Sequence, residues 1–107
     1  VMQSVLAADA YALSIYQTAS RLIAGGSIGA EASTNKIFWS EMDIAMHRTA
    51  LSILGAHAEL QKSAPAARGT SGWLDGFFFS LAGPIYAGSN EIQKNIIAER
   101  MLGLPRG

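Results

Sequence analysis

The chain has 107 residues, half of them hydrophobic and 15% charged, and its eight basic side chains balance eight acidic ones. This length allows one domain, and zero net charge excludes the basic field that attracts nucleic acid or an anionic membrane. The chain contains no cysteine, which excludes disulfides, thiolate catalysis and cysteine-bound zinc, and favours a reducing compartment such as the cytoplasm.

Two further properties of the sequence bear on membrane insertion and on contacts with other chains. No apolar run approaches the roughly 18 residues that a membrane-spanning helix needs, and the first residues lack the pattern of a signal peptide, so we expect a soluble protein. The mean hydropathy of +0.21 is nevertheless high for a small domain. We therefore expect part of the apolar surface to face another chain or domain.

The apolar residues predict two long helices joined by a short connection. In the first segment they recur at intervals of three and four, which predicts a helix over residues 2–24 that ends at Gly25. A second helix is predicted from about Ala30 to about Leu60, with a break or bend at Gly55. The apolar stripe of the first helix consists of Val5, Ala8, Ala12, Ile15, Ala19 and Leu22.

Two shorter helices are predicted after an exposed loop. The first covers residues 73–81 as a short buried helix and ends at a Gly-Pro pair. The last begins after Gly88, with Ser89 or Asn90 as its N-cap, and closes at Gly103. The sequence thus predicts an all-α protein, and an antiparallel four-helix bundle is its simplest arrangement.

The histidines and acidic residues of the second helix do not have the spacing of a metal site. A helix-borne di-metal site uses a Glu-x-x-His pair on each of two helices, and this pair does not occur in the sequence. Asp43 and His47 lie four residues apart, which predicts a pair on the helix surface. We therefore expect no bound metal. The residues considered are Glu41, Asp43, His47 and His57.

Four aromatic side chains in the third helix have two possible roles. They could stack on a ligand ring, or they could pack in the core. Aromatic residues at helical spacing more often belong to a core, which is the prediction for this group. Its members are Trp73, Phe77, Phe78 and Phe79.

The segment Gly83-Pro-Ile-Tyr-Ala-Gly-Ser-Asn-Glu-Ile-Gln93 joins a rigid turn, a flexible glycine and the start of a helix. Free backbone N–H groups and the positive end of the helix dipole converge there, which suits an oxygen-rich or anionic ligand. An N-cap explains Ser89 and Asn90 without any ligand. Spacing alone favours the N-cap.

The end of the chain carries a longer motif, Tyr86-Ala-Gly-Ser-Asn-Glu-Ile-Gln-Lys-Asn-Ile-Ile-Ala-Glu-Arg-Met-Leu-Gly-Leu-Pro-Arg-Gly107. This motif closely resembles the C-terminus of the acyl-CoA dehydrogenases, particularly the bacterial ones. Residues 31–41 resemble the second long helix of that family's C-terminal domain, and residues 51–55 resemble the end of that helix. The resemblance implies that residues 1–107 are this C-terminal helical domain, without the family's N-terminal and middle domains.

The resemblance also implies a reaction and a set of contacts. The family oxidises the Cα–Cβ bond of an acyl-CoA thioester, where a carboxylate removes the α-proton and FAD takes the hydride. The C-terminal bundle forms one wall of the flavin and acyl pocket and builds the oligomer core. By resemblance, Gly88, Ser89 and Glu91 contact FAD. Tyr86 lies beside the thioester, and the backbone N–H of Ala87 donates to the thioester carbonyl.

Ala87 is also the main departure from the family pattern. Many members carry the catalytic glutamate directly after the tyrosine, and the methyl group of alanine cannot accept a proton. No catalytic residue is therefore predicted in the chain; the base lies upstream of Val1, lies on a partner subunit, or is absent. A smaller departure is Ala56-His57, where many relatives have a glycine and an amide that contact the neighbouring subunit's FAD.

Three assignments stay open. The chain belongs to an active FAD-dependent acyl-CoA dehydrogenase, as a homo-oligomer or a heterotetramer with another such subunit. Alternatively, it is a noncatalytic subunit of such a heteromer, or a helical oligomerisation module that has lost the chemistry. Ala87 favours the last two, and the retained Gly88-Ser89 turn favours the first. The acyl group is also open, whether short, branched, long or steroid-derived.

Overall fold

The structure, a computed structural model, describes residues 1–61, 63–67, 69 and 72–106. Within these ranges the protein is all-α and no strand occurs, as the sequence predicts. None of the helices in the described part combines the length and the apolar character that crossing a membrane requires. The elements are α1, Met2–Ile23; α2, Glu31–Leu54; 3₁₀ helices at Gly55–Glu59 and Pro65–Ala67; α3, Gly72–Ser80; and α4, Asn90–Arg100.

The helix boundaries agree with the sequence prediction except at the end of α2. The sequence predicts a helix to about Leu60, but the α-helix ends at Leu54 and continues as the 3₁₀ helix Gly55–Glu59. The cause is Gly55, whose φ of +56° and ψ of −130° lie outside the α-helical region. The break predicted at this glycine is thereby confirmed.

The central helix is α2, against which α1, α3 and α4 all pack. α1 runs antiparallel to α2, because residues late in α1 contact residues early in α2. The side-chain pairs that show this are Arg21 with Glu31, Ser14 with Asn35, and Tyr11 with Phe38.

Small and polar residues, rather than large apolar ones, occupy the closest helix contacts. Among the described apolar side chains only Ala67 is buried, whereas Ser40 and Ser80 are almost completely inaccessible. Gly76 lets α3 approach α2 closely, since a Cβ at this position would lie 2.3 Å from Nε2 of His47. The helices are therefore held at short range by residues that leave little room for apolar side chains between them.

The helices expose more surface than a compact protein of this size. The accessible surface is 7381 Å² and the radius of gyration is 17.4 Å. A compact monomer of this mass has about 5,700 Å² and a radius of gyration of about 13 Å. The excess of roughly 1,700 Å² is about twice the area that one partner contributes to a standard protein interface.

Most of the apolar stripe predicted on α1 does not face α2, although Val5 and Ala8 line a groove that α1 shares with α2 and α3. Val5, Ile15 and Leu22 of that stripe are exposed. The face toward α2 carries Tyr11 and Ser14 instead. The periodicity predicts the helix correctly but not its contact face, because an apolar stripe serves equally well against a partner outside the chain.

The prediction that the aromatic residues of α3 form a core is wrong for three of the four. Trp73, Phe78 and Phe79 are exposed, Phe79 by 70%, and Phe77 is half-buried. α3 turns the side that carries Gly76 toward α2, so Phe78 and Phe79 face outward, whereas the ring of Trp73 contacts His47 of α2 at its edge. The predicted buried helix is therefore a surface helix within this chain.

Candidate functional site

Between α3 and α4 the chain forms a tight turn over residues 83–90, termed the 83–90 turn. The N–H of Ile85 donates to the carbonyl of Ala82 at 2.9 Å. The N–H of Asn90 donates to the carbonyl of Pro84 at 2.8 Å and closes the turn. Backbone hydrogen bonds thus fix both ends of the turn, and only its tip lacks them.

The tip consists of Ala87 and Gly88, which both have left-handed backbone, with φ of +54° and +83°. Among the described residues Ala87 is the one non-glycine with positive φ, a conformation that costs about 1 kcal/mol. Nε2 of Gln93 donates to the carbonyl oxygens of Ala87 and Gly88, at 3.0 and 3.4 Å. The C=O and N–H of one peptide group point in opposite directions. The N–H groups of Gly88 and Ser89, which share their peptide groups with these two carbonyls, therefore point away from the Gln93 amide.

The N–H groups of Ala87, Gly88 and Ser89 donate no hydrogen bond to any residue in the described ranges. Ala87 and Gly88 are exposed, and α4 begins directly after Ser89, so the positive end of its dipole adds to these donors. Three consecutive free donors of this kind suit a carbonyl or phosphate oxygen.

Ser89, one of the two N-cap residues that the sequence allows, is the N-cap of α4. Its Oγ accepts a hydrogen bond from the N–H of Ile92 at 3.4 Å, which is long for such a bond. The carboxylate of Glu91 is exposed, and its pKa is lowered below the ordinary value of 4.5. The largest cause of this lower pKa is a hydrogen bond from the N–H of Glu91 itself, followed by one from the Ser89 hydroxyl.

The side chain of Asn90 fastens the turn to α2. Asn90 is 5% exposed, its Nδ2 donates to Oγ of Ser40 at 3.2 Å, and its Oδ1 accepts from Nζ of Lys36 at 2.8 Å. The Ser40 hydroxyl in turn donates to the carbonyl of Ile37 at 3.0 Å. Lys36 and Ser40 are not predictable from the sequence, because they lie 54 and 50 residues from Asn90 and no local pattern joins them.

Tyr86 packs its ring against α2. The ring centroid lies 6.1 Å from that of Trp39, and the two planes are inclined by 52°. The tyrosine remains 41% exposed, and the free N–H of Ala87 belongs to the next residue. Tyr86 and the free N–H are thus neighbours in the chain, and their role at a thioester stays a prediction.

A separate apolar groove of about 380 Å³ lies at the other end of α2. It opens between α1, α2 and α3, and its lining includes Val5, Met46, Ile53 and Trp73. The residues that line it do not include the predicted flavin and thioester contacts. The groove and the 83–90 turn are therefore two distinct features of the surface.

The Asp43–His47 pair has the geometry of a helix-surface contact. Nδ1 of His47 lies 3.2 Å from Oδ1 of Asp43 and 2.9 Å from its carbonyl oxygen. In the part of the chain that the structure describes, no group of three His, Asp or Glu side chains is placed to hold a metal ion. Ala56 and His57 are exposed in the 3₁₀ helix after α2.

Comparisons with known proteins agree on one family. The family model described as "Acyl-CoA dehydrogenase, C-terminal domain" matches residues 2–102. Acyl-CoA dehydrogenase IpdE1 of Mycolicibacterium smegmatis is 48% identical over 60 residues, and IpdE1 of Mycobacterium tuberculosis is 65% identical over 34 residues. No solved structure matches significantly.

The two curated relatives are much longer than the segments that match. The matches cover 47% and 32% of this chain, but only 15% and 9% of the relatives. The chain therefore spans a small part of their length. The family model, by contrast, covers nearly the whole chain and agrees with the all-helical fold. The chain belongs to the acyl-CoA dehydrogenase family, and it matches that family's C-terminal helical domain.

Proposed function

We propose that the chain is the C-terminal domain of an FAD-dependent acyl-CoA dehydrogenase of the bacterial cytoplasm, and that N-terminal and middle domains precede it. In this proposal it forms one wall of the flavin and acyl-thioester pocket and part of the oligomer core. The family match over residues 2–102 supports the proposal. So do the relatives, in which the matched segment is a small share of a longer chain.

The observation that carries the proposal is the set of three free N–H groups at residues 87–89. A thioester carbonyl oxygen gains negative charge as the α-proton leaves, and a fixed N–H donor stabilises that charge. Ala87 is proposed to supply this donor, with Tyr86 beside the thioester. The loss of one such donor typically lowers the rate about 100- to 1,000-fold.

The remaining residues of the turn fit FAD. The N–H groups of Gly88 and Ser89 suit its phosphate or ribityl oxygens, and Gly88 presents no side chain to an approaching ligand. The lowered pKa of Glu91 keeps its carboxylate ionised. The carboxylate can therefore accept a hydrogen bond from a ribityl hydroxyl, and its negative charge disfavours a phosphate at the same place. When bound, FAD supplies the acceptor for the hydride that leaves Cβ.

The proton-accepting carboxylate is proposed to come from outside residues 1–107. The methyl group of Ala87 cannot accept a proton. Glu91 is the acidic residue nearest to it in the motif, and its lowered pKa makes it a weak base. The domain therefore contributes binding and charge stabilisation, while another segment or subunit contributes the base.

Ala87 also supports a second candidate, a noncatalytic subunit or helical oligomerisation module of a heteromeric dehydrogenase. The exposed apolar stripe on α1 supports a place in an oligomer core under either candidate. In the first candidate the dehydrogenation takes place at the 83–90 turn, and in the second it does not.

The full-length protein, purified with the subunits that accompany it, tests the proposal. We expect it to contain FAD, and we expect an acyl-CoA to bleach the flavin absorbance in the absence of oxygen. A full-length assembly that takes up no FAD would contradict the proposal.

A pair of substitutions in the same assembly separates the two candidates. Ala87→Glu restores a carboxylate, and Ala87→Gln has the same shape without the base. Faster flavin reduction in Ala87→Glu than in Ala87→Gln supports a noncatalytic subunit that lacks only its base. An active wild type that gains nothing from Ala87→Glu supports a base elsewhere.

A further inference from the structure

Two lysines lie near the start of α4, and they differ in what they contact. Both Lys36 on α2 and Lys94 on α4 act on the carboxylate of Glu91 through their charge. Lys36 also donates a hydrogen bond of 2.8 Å to Oδ1 of the buried Asn90 side chain. The side chain of Lys94 forms no hydrogen bond or ion pair with any residue that the structure describes.

The Lys36 ammonium group fixes the orientation of the Asn90 side-chain amide. Oγ of Ser40 lies at similar distances from both ends of the amide, 3.2 Å from Nδ2 and 3.3 Å from Oδ1, whereas Lys36 donates to Oδ1 at 2.8 Å. A flipped amide would place its NH₂ group against the ammonium group, a donor against a donor. The lysine therefore selects one of the two orientations.

The same asparagine and serine hold both ends of the 83–90 turn. The N–H of Asn90 closes the turn on the carbonyl of Pro84, at 2.8 Å. At the other end Gly83 lies directly on α2, since a Cβ there would be 3.2 Å from Cβ of Ser40. A change in the Asn90 side chain is therefore transmitted to the backbone of the turn.

We propose that Lys36 is a positioning residue: by orienting the Asn90 side chain, it holds the free N–H groups of residues 87–89 in the direction from which a ligand oxygen approaches. The identity of that ligand as FAD or thioester rests on the proposed function. The positioning rests on the hydrogen bonds that link Lys36, Asn90 and Ser40.

Three variants of the full-length protein test the role. Lys36→Met removes the donor and keeps the aliphatic stem, Lys36→Arg keeps both donor and charge, and Lys94→Met removes the same charge without contact to Asn90. Hydrogen exchange at the backbone N–H of Asn90, resolved with overlapping peptides, measures how firmly its hydrogen bond to Pro84 closes the turn. The Kd for FAD measures its function.

For Lys36→Met we expect the exchange rate at Asn90 and the Kd for FAD to rise about tenfold each, as expected for a lost hydrogen bond to a charged group. Lys36→Arg is expected to restore both values to within about threefold, and Lys94→Met to leave both within about twofold. Exchange in the middle of α2 stays unchanged if the variants are folded. Lys36→Leu, which also removes the donor and keeps an apolar stem, replaces Lys36→Met if the methionine variant does not fold, with the same expected rises.

Unchanged exchange at Asn90 in Lys36→Met overturns the positioning role, whatever happens to the FAD affinity. Equal effects of Lys36→Met and Lys94→Met also overturn it, because charge alone then explains both. Faster exchange with unchanged FAD affinity supports the positioning role and contradicts the flavin contact proposed for the turn. Failure of the inference and failure of the proposed function are therefore distinguishable.

Discussion

The two flanks of α2 are held in different ways. On one flank, the buried Ser40 and Asn90 and the partly buried Lys36 fasten α4 and the turn that precedes it. On the other flank, α1 contacts α2 through partly buried groups such as Ser14 and Asn35, and its apolar stripe stays exposed. The contacts that fix local geometry are thus concentrated at the candidate site, and much of the apolar surface is left for contacts beyond this chain.

The largest expected effect comes from removing the polar anchor. Asn90→Ala leaves the Lys36 ammonium group and the Ser40 hydroxyl without their buried partner, so we expect a loss of about 2–3 kcal/mol in the free energy of unfolding. Ser14→Ala removes a less buried hydrogen bond to Asn35, and the expected loss is below about 1 kcal/mol. Urea unfolding of both variants measures the difference. Equal losses would show that the two flanks are held alike.

A smaller effect is expected from filling the close contact between α3 and α2. In Gly76→Ala the new Cβ would lie 2.3 Å from Nε2 of His47. The imidazole cannot move aside freely, since its ring packs on Trp73 with centroids 5.7 Å apart. We expect a net loss of about 1–2 kcal/mol, because the clash exceeds the gain in helix propensity.

Gly72→Ala is the matched control on the same helix. A Cβ at Gly72 meets nothing within 4 Å, so this variant is expected to be neutral or more stable by up to about 1 kcal/mol. Thermal unfolding compares the two variants. A Gly76→Ala protein as stable as Gly72→Ala would contradict the close contact between α3 and α2 at Gly76.

The smallest expected effect concerns two carboxylates with lowered pKa, one on each flank. The pKa of Glu31 is lowered by hydrogen bonds from its own N–H and from that of Gly29, and the pKa of Glu91 by its own N–H and by Ser89. Both folded pKa values lie below the unfolded value. Each carboxylate therefore stabilises the fold above about pH 4.5, and this stabilisation is lost as pH falls through the folded pKa.

One substitution separates these two carboxylates. Ser89→Ala removes the hydroxyl that lowers the pKa of Glu91, so this pKa is expected to rise toward 4.5 while that of Glu31 stays constant. NMR titration of the side-chain carboxyl carbons measures both. An unchanged pKa for Glu91 would remove Ser89 as a cause.

Local features of the sequence predict the helices well, because their causes lie within a few residues. Gly55 breaks α2 through its own backbone angles, and Ser89 caps α4 from the adjacent position. The contact faces are less predictable, because hydrophobicity does not specify which partner covers a side chain. Phe78 and Phe79 are therefore exposed although their spacing predicts a core.

The candidate site, too, is predictable from the sequence only in part. The motif that begins at Tyr86 identifies the turn, but the left-handed backbone of Ala87 and its free N–H emerge only from the folded geometry. The contact of Lys36 with Asn90 has no local signature, since it joins residues 54 positions apart on two helices.

The proposed function requires the free N–H of Ala87 to face an acyl thioester. A structure of the full-length assembly with a bound acyl-CoA measures the distance from this nitrogen to the thioester carbonyl oxygen. We expect a distance of about 2.7–3.2 Å. A turn that faces bulk solvent, far from the bound thioester and from any neighbouring subunit, would contradict it.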